Sequence, residues 1–191
     1  MVASLFQIVW LTLAAGALAL FVFWFFRDPE REIPRDERLI LSPADGRVVG
    51  IAESKEERFL KDRTVQVSVF LSPLNVHVNR IPSSGKVREI AYQKGRFLAA
   101  QSHRASRENE QNAILLETET GKKIVFVQIA GFLARRIVCW IKQGDFVEQG
   151  MRFGMIRLGS RMDLFLPTST RVLVKVGDRV KAGLTVIGEW T

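Results

Sequence analysis

The chain has 191 residues, which is enough for one ordinary domain and a short appendage. Its net charge of +8 favours an anionic partner, for which nucleic acid and an anionic membrane surface are the usual candidates. The single cysteine, Cys139, excludes a disulfide framework within one chain and fits a reducing compartment. Because only two histidines accompany it, the sequence holds no His and Cys cluster of the kind that binds zinc, and we predict no metal site.

The first predicted element is an apolar helix. Residues 4–26 carry no charge, and roughly 20 apolar residues suffice to cross the hydrocarbon core of a bilayer. A secretory signal peptide is the competing interpretation, but no basic residue precedes the segment, and its small residues are followed by further bulky apolar ones. We therefore predict a membrane anchor over residues 1–27. Hydropathy leaves open whether this anchor spans the membrane or lies in its surface.

Four arginines follow the apolar segment, and three of them lie within residues 28–38. This charged, proline-containing stretch is unfavourable for a helix or a central strand. We predict that this stretch is a linker. Since nothing basic precedes the anchor, the positive-inside tendency predicts that the rest of the chain faces the cytoplasm at the cell membrane. The four arginines are Arg27, Arg31, Arg35 and Arg38.

Beyond residue 38 the sequence is dominated by short runs rich in Val, Ile and Phe, which Gly, Pro, Asp or Asn usually bound. Such runs predict β-strands. Residues 96–110 are polar and predict a loop. The predicted strands cover residues 47–51, 64–70, 86–91, 113–116, 124–130, 137–141, 171–176 and 184–187.

Two internal similarities sharpen the fold prediction. Residues 141–150 match 174–183 in a Lys-x-Gly-Asp-x-Val-x-x-Gly pattern, and residues 46–52 match 85–91. The pattern is typical of a turn, in which Gly supplies a positive φ, Asp bonds the local main chain and Val returns to the core. It resembles the hairpins of biotinyl- and lipoyl-type folds. We therefore predict a mainly β barrel-sandwich hybrid over residues 39–191.

The residues available for catalysis are few. The sequence has no phosphate-binding GxxxxGK[ST] loop, no G-x-S-x-G nucleophile elbow and no dinucleotide fingerprint. The remaining candidate is the segment 153–167, which contains Gly159 and Ser160. Alone, a Gly-Ser pair is most often an ordinary turn.

The surrounding sequence changes that interpretation. Five blocks, at residues 25–31, 42–48, 70–80, 106–112 and 158–160, resemble the phosphatidylserine decarboxylase family, in particular its short bacterial and archaeal form, and they occur in the family's order. The resemblance extends over almost the whole chain. It implies a pyruvoyl-dependent enzyme that converts phosphatidylserine to phosphatidylethanolamine and carbon dioxide. No ordinary side chain can act as the electron sink that such a decarboxylation requires.

The resemblance also implies how the cofactor arises. The hydroxyl of Ser160 attacks the carbonyl of Gly159, the chain breaks there, and residue 160 becomes a covalent pyruvoyl group whose ketone forms a Schiff base with the substrate. Glycine suits this position because it tolerates a strained backbone and leaves its carbonyl open to attack. The products would be a β chain, residues 1–159, and an α chain, residues 160–191, that remain associated. The oligomeric state is left open.

A serine hydroxyl needs a base, and the base needs a group that orients it. The family's Asp and His map onto Asp45 and His77. Taken alone, Asp45 is typical of a turn and His77 of a structural histidine. The resemblance implies that His77 acts as the base, since an unperturbed imidazole titrates near neutral pH, and that Asp45 orients it.

The sequence departs from the family's pattern at two positions. Arg80 stands where longer members carry a second histidine, and Arg161 follows the Gly-Ser pair where a threonine is usual. These departures leave the proton donor for decarboxylation open. We name Arg80 and Arg161 as candidates for binding the substrate's phosphate or carboxylate, with Arg135 and Arg136 as further candidates. The role of residues 108–112 is not derivable from the sequence.

Three other functions are alternatives to a decarboxylase. The principal alternative is a membrane-anchored, non-enzymatic barrel-sandwich adaptor, in which the Gly-Ser bond has no reason to break. A biotin or lipoyl carrier needs a lysine at a hairpin apex with characteristic neighbours, and no lysine here has them. Nucleic-acid binding fits the basic charge but not the apolar anchor. We therefore predict an anionic phospholipid as the partner and no nucleic acid.

Overall fold

A computed structural model describes residues 2–96, 98, 108–131, 136–157 and 159–191. It begins with one helix, α1, Val2–Phe25. Among the described side chains of α1, only Phe25 is buried. By length and composition the helix could cross a membrane. The predicted apolar helix is therefore confirmed.

The described residues after α1 form fourteen strands, and every strand pair is antiparallel. The prediction of a mainly β fold with one N-terminal apolar helix is confirmed. The strands are β1 Leu39–Leu41, β2 Gly46–Glu56, β3 Asp62–Leu71, β4 Val78–Arg80, β5 Gly85–Gln93, β6 Gln111–Glu117, β7 Lys123–Ile129, β8 Ile137–Cys139, β9 Phe146–Val147, β10 Arg152–Ile156, β11 Ser160–Pro167, β12 Arg171–Val172, β13 Arg179–Val180 and β14 Val186–Glu189.

The strands form three sheets. The largest has eight strands in the order β13-β2-β3-β11-β7-β6-β5-β9, and two three-stranded sheets have the orders β1-β14-β12 and β4-β10-β8. Strand β11, which begins at the predicted cleavage residue, lies in the middle of the large sheet, between β3 and β7. The motif with the candidate chemistry is therefore built into the centre of the sheet.

Side-chain alternation assigns the faces of β11. Met162, Leu164 and Leu166 belong to the main core, whereas Phe165 packs against a second, smaller cluster on the other face of the sheet. Because successive side chains of a strand point to opposite faces, Ser160 belongs to the same face as Met162. Ser160 thus faces the main core.

The predicted turn motif occurs twice in the structure. Gly144 and Gly177 have φ of 95° and 99°, values that favour glycine. Asp145 and Asp178 each accept a hydrogen bond from the main-chain N–H three residues earlier, at 2.8 and 2.9 Å. The valines that follow at 147 and 180 are buried. The turn geometry predicted from the pattern is confirmed.

The other repeated segment also has matching surroundings. The main-chain N–H of Leu41 donates to the carbonyl of Pro82, and that of Arg80 donates to the carbonyl of Pro43, each at 2.9 Å. Residues 43–46 and 82–85 therefore occupy reciprocal positions. Strand β2 begins after the first of these segments and β5 after the second, so the fold consists largely of two similar halves.

Several strands were not predicted from the sequence, including β4, β10 and β11. In β11 the charged residues Arg161 and Asp163 interrupt the apolar pattern, although both are buried. The strand is covered on both faces, which removes the alternation of exposed and buried residues on which the prediction depends. The loop predicted over residues 96–110 lies mostly outside the described residues.

Candidate active site

The junction between Gly159 and Ser160 has an unusual backbone and an unpartnered hydroxyl. Gly159 has φ of 67° and no neighbouring atom within 4 Å of the place where a Cβ would stand. Ser160 is completely buried, and its Oγ makes no hydrogen bond. A buried hydroxyl normally has a partner. This serine is therefore a candidate for a reacting group.

Backbone pairing brings Ser160 close to the chain segment that carries His77. Ser160 pairs with Leu71 at the end of β3, and the chain runs from there through a short loop to His77. The carbonyl of His77 accepts a hydrogen bond from the main-chain N–H of Ile156 at 3.3 Å. Both predicted catalytic residues thus lie at one end of the large sheet, on segments that adjoin each other.

The imidazole of His77 is 1% exposed, and neither nitrogen makes a hydrogen bond. Its ring lies against Phe25, the last residue of α1, with 4.3 Å between ring centroids. The pKa of His77 is lowered from 6.5 to about 4, mainly by burial and also by the positive charge of Arg27, whereas Asp45 and the main chain at Asn75 act in the opposite direction. The ring is therefore neutral at pH 7.

Asp45 is held by an arginine rather than by the histidine. Its Oδ1 and Oδ2 accept hydrogen bonds from Nη1 and Nη2 of Arg31 at 2.6 and 3.0 Å. The main-chain N–H of Ala182 donates to Oδ1 at 2.8 Å. No hydrogen bond joins Asp45 to His77, so Asp45 acts on the imidazole through its charge. Its role as an orienting group stays a prediction.

Arg80 is also engaged within the chain. Its Nη1 donates to the carbonyl of Gly150 at 3.0 Å, and its Nη2 donates to the carbonyl of Pro29 at 3.1 Å and lies 3.4 Å from Oδ1 of Asp28. Burial lowers the pKa of Arg80. The guanidinium fastens residues 28–29 to the domain, and its predicted contact with substrate stays a prediction.

Arg161 adjoins Ser160 in sequence but belongs to the opposite face of β11. Its Nη2 donates to Oδ2 of Asp163 at 2.8 Å, and the same oxygen accepts a hydrogen bond from Nε2 of Gln66 at 2.9 Å. A role in substrate binding stays a prediction for Arg161. Of the two further candidates, Arg136 is exposed and Arg135 lies outside the described residues.

A chain of three buried amides, which the sequence did not predict, lies near the same end of the sheet. Asn112 donates to Oε1 of Gln128, and Gln128 donates to Oδ1 of Asn79, each at 3.0 Å. Nδ2 of Asn79 has no hydrogen-bond partner. Gln128 pairs with Met162, two residues beyond Ser160. Two members of this amide network had a sequence signal: Asn79 lies in the third matching block, and Asn112 ends the fourth.

The contacts of Phe25 and Arg31 were also missed. Both residues lie in the first matching block, to which the sequence analysis assigned no chemistry. Phe25 packs on His77 and Arg31 binds Asp45, so this block contacts both predicted catalytic partners of Ser160. The available signal in the sequence was this first matching block itself, a motif without a predicted role at the end of the predicted anchor.

Comparison with known proteins gives a consistent result. The sequence model of the phosphatidylserine decarboxylase family matches residues 18–188. A protein of Syntrophus aciditrophicus named phosphatidylserine decarboxylase proenzyme is 51% identical over 179 residues, which are 94% of this chain and 84% of that protein.

Proteins of the same name from Symbiobacterium thermophilum and Geobacter metallireducens are 50% and 48% identical, each over 173 residues. Those matches cover 91% of this chain and 80% and 79% of the two relatives. The likeness thus includes both the anchor end and the Gly-Ser junction. The chain belongs to the phosphatidylserine decarboxylase family and is a carboxy-lyase rather than a non-enzymatic adaptor.

Proposed function

We propose that this chain is a proenzyme that cleaves itself between Gly159 and Ser160 and then converts phosphatidylserine to phosphatidylethanolamine and carbon dioxide with a pyruvoyl group at residue 160. The observation that carries the proposal is Ser160: a buried serine with an unpartnered hydroxyl follows a glycine in the left-handed region, in a chain of this family. The relatives' name, proenzyme, supports a maturation step.

Self-cleavage needs only groups of the chain and one water. Oγ of Ser160 attacks the carbonyl carbon of Gly159, and the peptide bond becomes an ester as the nitrogen of Ser160 leaves. Loss of the Cα proton and breakage of the Cβ–Oγ bond then release the carboxylate of Gly159 and leave a dehydroalanine at residue 160. Water converts that residue to a ketone with release of ammonia.

His77 fits the role of base in these proton transfers. A general base must be unprotonated, and the burial that lowers the pKa of His77 to about 4 keeps the imidazole neutral at physiological pH. Neither nitrogen is occupied by another partner. A base of such low pKa is weak, which is sufficient for a reaction that each molecule performs once.

The residues around Ser160 also fit the pyruvoyl group. That group supplies a carbonyl that conjugates with the amine of the substrate and withdraws electrons from the bond that breaks. The buried, unpartnered Nδ2 of Asn79 offers a hydrogen-bond donor to an anionic group. His77 can hold a proton on an imidazole nitrogen and return it to the substrate carbon after decarboxylation.

The sheet supports continued association of the two chains after cleavage. Strand β11 would begin the α chain, and it pairs on both sides with strands of the β chain, β3 and β7. Strands β12 and β14 of the α chain also form a sheet with β1. Because breaking the bond before Ser160 removes none of these pairings, the fragments remain in one fold.

The anchor supports a location at the cytoplasmic face of the cell membrane, where the substrate lies. Basic residues at an anionic surface contribute about 1 kcal/mol each to attraction, and the chain has a net charge of +8. Arg27 lies two residues after the last residue of α1, and its Nη2 donates to the carbonyl of Leu74, three residues before His77, at 2.7 Å. The predicted active site therefore lies beside the end of the anchor.

Intact-mass spectrometry of the purified chain, beside a Ser160→Ala control, tests the proposal. We expect two fragments, one that ends at Gly159 and one that begins at residue 160 and is lighter by one ammonia than a chain that begins with serine. The control stays intact. Release of carbon dioxide from phosphatidylserine vesicles should follow cleavage. A wild-type chain that stays at full length, with the mass of an ordinary serine after long incubation in membranes, would contradict the pyruvoyl mechanism.

A further inference from the structure

The segment between the anchor and the first strand is fastened to the predicted active site. We call residues 25–33 the strap. Two of its acidic residues bind the same arginine of the domain: Oδ2 of Asp28 lies 2.6 Å from Nε of Arg152, and Oε1 of Glu30 accepts a hydrogen bond from Nη2 of Arg152 at 2.7 Å. The strap thus has a defined position, although its charge and prolines predicted a linker.

One contact of the strap is both buried and charged. The side chains of Arg31 and Asp45 are 6% and 11% exposed, and two parallel hydrogen bonds join them. Nη1 of Arg31 also donates to the carbonyl of Ala182 at 2.6 Å. Bidentate pairs of this kind fix the orientation of the carboxylate as well as its charge. Arg31 therefore determines where the Asp45 carboxylate points.

The other half of the fold shows that the main chain does not require this charge. At the position reciprocal to Asp45, Oγ of Ser84 accepts a hydrogen bond from the main-chain N–H of Gln149 at 3.0 Å. The corresponding bond in the first half runs from the N–H of Ala182 to Asp45. A neutral hydroxyl is sufficient for the turn, so the carboxylate and its arginine need another explanation.

We propose that Arg31 is a positioning residue of the self-cleavage site, which holds the Asp45 carboxylate in place and limits its influence on His77. This inference rests on the proposed function and extends it. It assigns to the strap a part in the reaction, beyond connecting the anchor to the domain.

The electrostatic consequence has a definite sign. The groups that act on the His77 imidazole are the charges of Arg27 and Asp45, the main chain at Asn75 and the packed ring of Phe25. Without the positive charge of Arg31, the negative charge of Asp45 would be uncompensated and would favour protonated His77 more strongly. A larger fraction of His77 would then be protonated and unable to act as a base, above all at pH values between its present and its raised pKa.

The test compares self-cleavage rates of full-length variants synthesised into vesicles of phosphatidylcholine and phosphatidylglycerol. We expect Arg31→Met to slow cleavage at least tenfold at pH 7, because the Asp45 carboxylate loses the two hydrogen bonds that hold it in place. The acid limb of the pH profile should also move upward. Arg31→Lys keeps the charge without the paired hydrogen bonds and should lie in between. Arg35→Met is the matched control, because Arg35 is exposed in the adjoining chain, and it should stay within twofold of the wild type.

A double-mutant comparison asks whether Arg31 acts through Asp45. Arg31→Met combined with Asp45→Ser should cleave no more slowly than Asp45→Ser alone, whereas independent roles would multiply the two losses. Multiplication, or an Arg31→Met chain that cleaves at the wild-type rate with an unmoved acid limb, would overturn the proposal.

The pKa of His77 can be measured in chains that cannot cleave themselves, so this inference can be tested independently of the proposed function. In chains that carry Ser160→Ala, carbon-13 NMR of the two histidines reports the titration of His77, which His77→Gln identifies. Arg31→Met should raise its pKa even if the wild-type chain never cleaves. An unchanged titration in a chain whose thermal unfolding is otherwise cooperative would reject the electrostatic role of Arg31.

Discussion

The two halves of the fold share their main chain but differ in side-chain chemistry. Gly46 and Gly85 begin equivalent strands, β2 and β5, and both lie so close to a carbonyl of the neighbouring strand that a Cβ would not fit. Before them stand Asp45 in the first half and Ser84 in the second. Both accept the same type of main-chain hydrogen bond, but only Asp45 meets an arginine. The fold requires a hydrogen-bond acceptor before each of these glycines, and the predicted chemistry uses the negative charge that only Asp45 adds.

The halves also meet at two glycines. Substitution of these glycines is the change from which we expect the largest loss of stability. Gly150 and Gly183 end the repeated motif with φ of 78° and 71°, and a Cβ on either would collide with the side chain of Ile33 in the strap. Gly144 and Gly177 have similar φ but open space around them.

We expect Gly183→Ala and Gly150→Ala each to lower the free energy of unfolding by about 3 kcal/mol, because strain and collision add. Gly177→Ala and Gly144→Ala should cost about 1 to 2 kcal/mol, from strain alone. Chemical denaturation of the Ser160→Ala chain in detergent measures all four. Equal losses at the four positions would show that Ile33 does not pack between the halves.

Asp45→Ser makes the first half resemble the second. The hydroxyl can still accept the hydrogen bond from Ala182, but the charge beside His77 is lost and Arg31 loses its partner. We expect self-cleavage to slow about 100-fold, the lower part of the range for acid-base assistance. A time course of fragment formation on gels measures the effect. Cleavage at the wild-type rate would remove Asp45 from the mechanism.

The segment after strands β2 and β3 distinguishes the halves again, because β3 leads to His77 whereas β6, its counterpart, leads into a tight turn at residues 118–122.

The pKa of His77 is depressed to about 4 in the folded chain and is near 6.5 when unfolded, so the unfolded chain binds the additional proton between these values. This contribution to stability is complete above the unfolded pKa and is lost progressively as the pH falls toward 4.

Between pH 7.5 and pH 5, His77 should therefore account for a loss of about 2 kcal/mol. The difference between Ser160→Ala and Ser160→Ala/His77→Gln chains, measured by denaturation at both pH values, isolates this loss from that of other groups. A difference that does not change with pH would mean that His77 titrates normally in the folded chain.

Ser84→Ala gives the smallest expected effect. It removes the hydrogen bond from Gln149 in the half without predicted chemistry, at a cost of about 1 kcal/mol. The self-cleavage rate should stay within twofold of the wild type, because no predicted catalytic residue contacts this position. A slower reaction at unchanged stability would show that the second half also takes part in the reaction.

The features that were predictable depend on local sequence. An uncharged stretch before Arg27 was sufficient for the helix. The repeated Gly-Asp pattern was sufficient for the two turns, because each turn is stabilised by its own residues. The position of Ser160 was predictable as a motif, but its place at the start of a central strand was not, since Arg161 and Asp163 are buried charges that only tertiary partners explain.

The predicted linker shows the limit most clearly. Residues 28–38 contain no helix or strand, as their prolines and charges suggest, yet Arg31 is almost completely buried. Its partner, Asp45, lies fourteen residues away along the chain, and nothing in the local sequence distinguishes Arg31 from the exposed Arg35. Long-range ion pairs of this kind depend on the folded topology.

The packing of Phe25 on His77 attaches the predicted active site to the end of α1. In the proposed membrane location, a site attached to the last residue of α1 does not search the bulk solution, and it meets its substrate by lateral diffusion in two dimensions. We therefore expect the rate to depend on the mole fraction of phosphatidylserine in the enzyme's own membrane, and to fall when neutral lipid dilutes that surface. Vesicles that do not contain the enzyme would be poor substrates at any concentration.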